Sequence, residues 1–333
     1  MEQEPTVFQT VGEQRSAAEL SHDKQPELPG YRLERQVGAG SFGQVWAGLH
    51  ERTGRKVAVK LLVSNLTSQA LRVELDRLRV ATDHPSIVDL LDADPDHDPP
   101  FLTMPWLSGG NLSQQPRPKL VQAELWLSQI AGALKYIHAK GILHCDLKPA
   151  NVLLDEEERA YLADFGQSLV LGGRSRAWGT VGTMPPEQAL LGTEEKHSSP
   201  NVSWDIYALG ATAYYLLTGT LPRLLFQDLK SMSAGASVEE RLEQYRDFLA
   251  NRPLRPIREL NPEVDRELAF MVEACLSLDP DKRPATVDEF LLDIERRKDK
   301  QPLLCRRPRS QGYQVSRWIR RPAARTRPRR CRS

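Results

Sequence analysis

The chain has 333 residues, with 45 Lys+Arg against 44 Asp+Glu, 40% hydrophobic and 27% charged. That apolar share can bury a sizeable core, which excludes wholesale disorder, and the composition excludes a collagen-like repeat or a coiled coil. The near-zero net charge is unevenly spread: residues 296–333 carry +14, with Asp299 their one acid, and residues 1–295 carry −13. An acidic body with a basic tail is not a dedicated nucleic-acid-binding domain. Cysteines at 145, 275, 305 and 331 form no CxxC pair, and their scatter fits a reducing compartment. The N-terminus has no apolar signal core, and the strongest apolar stretch, Tyr207–Leu217, is shorter than the roughly 18 residues that span a bilayer. The sequence therefore reads as soluble and cytoplasmic.

In chain order, residues 1–28 read as a polar, flexible leader. Strands follow at Tyr31–Gln36, Val45–Leu49, Lys56–Val63, Ile87–Asp92 and Phe101–Met104, punctuated by turns such as Arg52-Thr53-Gly54. One helix, Ser68–Val80, interrupts them, with Ala70, Leu71, Leu75 and Leu78 at helical spacing. Beyond Trp106 the pattern turns helical: Val121–Ala139, Ser203–Leu217, Val238–Leu249, Val264–Cys275 and Thr286–Arg296. Two short apolar runs, Asn151–Leu154 and Tyr161–Ala163, flank an acidic turn. The outline is a small β-rich lobe (29–105) and a larger helical lobe (106–296) with a cleft between. An Arg/Pro-rich tail, 297–333, cannot order itself by apolar burial.

Gly38-Ala39-Gly40-Ser41-Phe42-Gly43-Gln44-Val45 is a glycine loop of the kind that brings backbone N–H groups close to phosphates. A dinucleotide-binding loop would lead into a helix; here strand-like Gln44–Leu49 and Val57-Ala58-Val59-Lys60 follow. His144-Cys145-Asp146-Leu147-Lys148-Pro149-Ala150-Asn151 and then Asp164-Phe165-Gly166 complete the pattern. With these motifs the chain resembles the eukaryotic-like (bacterial-type) serine/threonine protein kinases from about Tyr31 to Arg296.

The resemblance implies an α+β, two-lobed fold: a small antiparallel sheet lobe with one main helix, and a mainly α-helical lobe. It implies ATP and Mg²⁺ as cofactors. Lys60 grips the nucleotide phosphates and pairs with Glu74, ten residues before His84-Pro85. Asp146 accepts the proton of the substrate hydroxyl, Lys148 neutralises γ-phosphate charge, and Asn151 and Asp164 hold metal. Gly38, Gly40, Gly43 and Val45 cover the nucleotide. Ala58 and Leu153 sandwich the base, Met104 is the gatekeeper, and the Pro105 carbonyl and Leu107 N–H face the adenine edge. Thr180 is expected beside Asp146 and Lys148, Glu187 on Arg283, and Asp205 under the catalytic loop.

The implied partners are proteins with Ser/Thr acceptors. Self-phosphorylation is expected too, with Thr180, Thr183, Ser168 and Ser175 as candidate loop hydroxyls. Some relatives continue through a basic segment into a membrane, so the tail is a candidate contact for acidic lipid or another polyanion. Cys145 replaces the arginine that receives a loop phosphate, Thr183 a tyrosine and Val181 a proline. The competing readings are a pseudokinase-type nucleotide-binding scaffold and a kinase-like fold acting on a small molecule. Retention of Lys60, Asp146, Lys148, Asn151 and Asp164 opposes the first, and the segment Gly179–Glu187 with Lys148 opposes the second.

Overall fold

The computed structural model describes residues 26–40, 43–62, 68–165, 168–170, 179–190, 199–233 and 237–306. Ser41, Phe42, Gly166, Ser175, most of the expected leader and the tail from 307 lie outside them.

The smaller lobe is a five-stranded antiparallel sheet: β1 (Tyr31–Gly40), β2 (Gly43–His50), β3 (Lys56–Leu62), β4 (Asp92–Asp94) and β5 (Phe101–Pro105), in the order β1-β2-β3-β5-β4. β3 is buried along nearly its whole length, because side chains on both of its faces are covered. Val57, Val59 and Leu61 pack with Leu33 and Phe101, while Leu62 joins a second cluster with Leu75 and Leu78 of α1 (Ser68–Ala81). Leu28, at the end of the expected leader, is buried in the first cluster, and its carbonyl accepts from the Tyr31 N–H. The small lobe therefore includes Leu28, inside the expected leader.

The expected strand Ile87–Asp92 is displaced. The Val88 N–H donates to the Leu162 carbonyl and the Leu162 N–H to the Ser86 carbonyl, so the start of this stretch bonds to the larger lobe. Pairing with β5 begins where the Leu91 N–H donates to the Thr103 carbonyl and continues through Asp92–Asp94. The apolar run is buried as expected, but periodicity does not name the partner that takes its hydrogen bonds.

The larger lobe contains α2 (Leu120–Ala139), α3 (Val202–Thr218), α4 (Phe226–Ser233), α5 (Val238–Asn251), α6 (Ile257–Leu260), α7 (Arg266–Cys275) and α8 (Val287–Lys298). Short strand pairs β6 (Ile142–Leu143) with β9 (Leu169–Val170), and β7 (Val152–Leu154) with β8 (Ala160–Leu162), line the cleft. α2 buries Trp126, Leu127, Ile130, Leu134 and Ile137 at helical spacing. α3 is buried on almost every side and forms the lobe's axis, which suits its apolar sequence. α4 and α6 were not expected: one lies beside a Ser-rich connection and the other is a single turn after Pro256.

The expected tail boundary moves as well. Arg297 donates to Glu124 at 2.9 and 3.0 Å and to Asp265, and Leu303 is buried. The Cys305 N–H reaches the Asp293 carboxylate at 2.9 Å. Residues 297–306 thus form a strap across α2, α7 and α8. Among the described residues no helix is long and apolar enough to cross a membrane.

Candidate active site

Four strands of the small lobe define the roof of the cleft. β1 and β2 meet with Gly38 opposite Val45 and Gly40 opposite Gly43. Gly43 has φ +135°, and a Cβ there would lie 1.8 Å from the Leu61 carbonyl oxygen, so only glycine fits this approach to β3. On β3, Lys60 lies between Val45 and Leu102, and Ala58 between Ala47 and Met104. Pro105 closes β5 opposite Val57, and the half-exposed Leu107 follows it. Below, Leu153 on β7 pairs with Tyr161 and bridges to Asn111. A cavity of about 30 Å³ behind Met104 is bounded by Lys60, Leu78, Asp164 and Phe165.

The floor is the loop between β6 and β7. Asp205, fully buried at the start of α3, accepts the N–H of His144 and the N–H of Cys145, both at 2.8 Å. His138, at the end of α2, meets the same carboxylate at 2.7 Å. Burial opposes ionisation of Asp205, yet His138, His144 and these N–H donors outweigh it and hold the carboxyl below its ordinary range. This anchoring fixes Cys145 at φ +64°, a conformation that costs a non-glycine residue roughly 1–3 kcal/mol. Cys145 is buried against Leu143 and Trp204, and its carbonyl accepts from Gln188 Nε2 at 2.9 Å.

From that loop Asp146 faces Thr180 and Lys148. Thr180 Oγ1 donates to Asp146 Oδ1 at 2.6 Å, Lys148 Nζ donates to Thr180 Oγ1 at 2.9 Å, and Lys148 Nζ lies 3.0 Å from Asp146 Oδ2. Asn151 Nδ2 donates to the Asp146 carbonyl at 2.9 Å and reaches its carboxylate at 3.3 Å. Lys60 Nζ meets Asp164 Oδ1 at 2.7 Å across the cleft. Burial raises the Asp164 carboxyl, but Lys60 first, then Lys148 and His144, bring it down to about 2. Asp164 also has a positive φ, +61°. Behind the floor, Glu187 and the fully buried Arg283 form a two-pronged pair at 2.6 and 3.0 Å.

The donor set suits magnesium: one carboxylate open to the cleft, and one amide whose oxygen takes no part in the two bonds its nitrogen makes. The cleft thus brings Lys60, Asp146, Lys148, Asn151 and Asp164 together. Glu74 lies on α1, but its side chain is outside the described residues. The loop-hydroxyl expectation changes: Thr180, Thr183 and Ser168 are all buried, with Thr180 committed to Asp146. His138 and Gln188 escaped the sequence reading because each acts through a contact more than 40 residues away, and no local motif marks it.

Residues 31–292 match the model of the protein kinase domain, so the chain belongs to the protein kinase family. It is 34% identical over 200 residues to the hormonally up-regulated neu tumor-associated kinase of Homo sapiens and to that of Mus musculus. The match covers 56% of this chain and 28% of each relative. Over 202 residues it is 34% identical to the serine/threonine-protein kinase dkf-2 of Caenorhabditis briggsae, covering 57% of this chain and 16% of that one. The chain therefore spans well under half the length of these relatives, all of them from animals, which lend no support to a bacterial-type grouping.

Proposed function

We propose that the chain is an ATP- and Mg²⁺-dependent protein serine/threonine kinase, and the contact set of Asp146, Thr180 and Lys148 carries this reading. Asp146 presents a carboxylate with one oxygen held by Thr180 and the other beside Lys148, so its orientation is fixed before a substrate arrives. That carboxylate takes the proton from a Ser or Thr hydroxyl as the hydroxyl oxygen attacks the γ-phosphorus and ADP leaves. Lys148, bonded to both groups, places a positive charge where negative charge builds up on the transferring phosphoryl group. Lys60 offers the cation for the other phosphates. When bound, magnesium neutralises phosphate charge, with Asp164 and Asn151 as the protein atoms that would hold it.

Lys148 joined to Thr180 beside the acceptor site favours Ser/Thr over Tyr acceptors, and the relative named a serine/threonine-protein kinase agrees. Self-phosphorylation belongs to the same proposal, at hydroxyls other than the buried Thr180, Thr183 and Ser168. The proposed setting is the cytoplasm, with the +14 segment giving salt-dependent contact with acidic lipid or another polyanion. The test is transfer of labelled γ-phosphate to a mixed protein substrate, followed by acid hydrolysis to phosphoamino acids. Labelled phosphoserine and phosphothreonine are expected; label confined to phosphotyrosine contradicts the assignment.

A further inference from the structure

Arg77 lies on α1, one turn beyond Glu74 and next to Leu78, whose buried side chain helps bound the cavity behind Met104. Its Nη1 donates to the backbone carbonyl of Ser168, 91 residues away in sequence. Ser168 follows Asp164 by four residues and is 2% exposed, and its own N–H is bonded to the Phe165 carbonyl at 2.9 Å. Immediately after it, β9 pairs with β6, with Leu169 opposite Leu143 and Val170 opposite Ile142. β6 runs straight into His144 and Cys145. One guanidinium thus joins the helix that carries Glu74 to Ser168, and β9, directly after Ser168, pairs with the strand that leads into the catalytic loop.

The same contact has a cost. Arg77 Nε and Ser168 Oγ are both buried without a hydrogen-bond partner. A guanidinium desolvated for one backbone acceptor adds little net stability. What the contact does do is span α1 and the residue that precedes β9, the strand paired with β6. At the position of the phosphate-receiving arginine in the loop stands Cys145, 3% exposed and packed on Leu143 and Trp204.

We propose that Arg77 is a positioning residue that holds α1 against the segment after Asp164, and that it makes this tie without a loop phosphate. Its acceptor is a backbone carbonyl, which is present in every modification state of the chain. Coupling between the small-lobe helix and the catalytic loop is therefore built in rather than switched. The inference rests on the kinase reading above, and its test includes a measurement that needs no turnover.

The full chain is compared with Arg77→Gln, Arg77→Lys and, as a control, Arg79→Ala, whose exposed guanidinium faces Asp76 at 3.6 Å. After phosphatase treatment the unaltered chain and Arg79→Ala are expected to keep phosphate transfer. Arg77→Gln is expected to lose about tenfold to hundredfold in kcat, with KM for ATP moved less than about threefold, and Arg77→Lys to recover part of the loss. Amide hydrogen exchange over residues 142–145 and 168–170 should quicken in Arg77→Gln, less in Arg77→Lys, and stay unchanged in Arg79→Ala. If the unaltered chain transfers no phosphate at all, the kinase reading fails while the exchange measurement still judges the tie. Should Arg77→Gln not fold, Arg77→Lys carries both readouts. Exchange and kcat in the Arg77 variants equal to those of the unaltered chain overturn the proposal. So does activity of the unaltered chain that vanishes on dephosphorylation.

Discussion

Thr180 connects the two charged groups of the catalytic loop through one hydroxyl, donating to Asp146 and accepting from Lys148. Replacing it with valine keeps the shape and removes both bonds, leaving Asp146, 3% exposed, without the donor on Oδ1. Thr180→Val should lower kcat about tenfold to hundredfold with little change in KM for ATP, because it loosens orientation rather than nucleotide binding. Thr180→Ser, which restores the hydroxyl, should recover most of the rate in the same steady-state assay. A Val variant as fast as the parent would mean that Lys148 alone orients Asp146. Cys145 and Asp164 stand at the same scale: both hold positive φ values, and at Cys145 the backbone N–H is held by Asp205 and the carbonyl by Gln188.

At the scale of elements, α8 and the strap after it extend the domain past the point where composition turns basic. Arg297 spans Glu124 on α2 and Asp265 at the start of α7, and Leu303 is buried beneath the strap. A chain ending at Arg296 should melt lower than one ending at Arg306 by about 3 °C or more, since burying one leucine alone is worth roughly 1.5–3 kcal/mol. Asp265 gives this difference a pH dependence. Burial raises its carboxyl, but Arg297 and the N–H of Leu268 outweigh burial and lower it from 3.8. A depressed carboxyl stabilises the fold above the unfolded value, and that contribution fades as pH falls through the lower folded value. The gap between the two melting curves should therefore narrow as pH falls below the ordinary carboxylate value toward the lower folded one. Equal melting temperatures for the two chains would show that the strap adds nothing.

Across the whole molecule, what the sequence made legible divides by range. Helices with a full apolar stripe, such as α2, could be read from periodicity to within a residue or two, because one buried face dictates the pattern. That Asp146, Lys148 and Asn151 lie in contact could be read from a motif whose close spacing forces them onto one loop, from His144 to Asn151. What escaped depends on distant partners: Ile87 and Val88 bond to β8 rather than extend the sheet, and Arg297 finds two carboxylates that local composition does not reveal. α6 is one turn long, too short to show a period. Basic, proline-rich sequence reads as unable to order itself, yet a guanidinium shared by Glu124 and Asp265 orders its first ten residues.

The facing residues of the cleft are assigned to phosphoryl transfer. The most direct test of that assignment sets the full chain beside Asp146→Asn, measuring MgATP binding and transfer of labelled γ-phosphate to a protein substrate in parallel. The account predicts that both bind MgATP with similar affinity, while transfer falls by at least about a hundredfold in Asp146→Asn. Equal transfer by the two proteins would remove Asp146 from its role. MgATP binding with no transfer by the unaltered chain would contradict the account and leave a nucleotide-binding scaffold in its place.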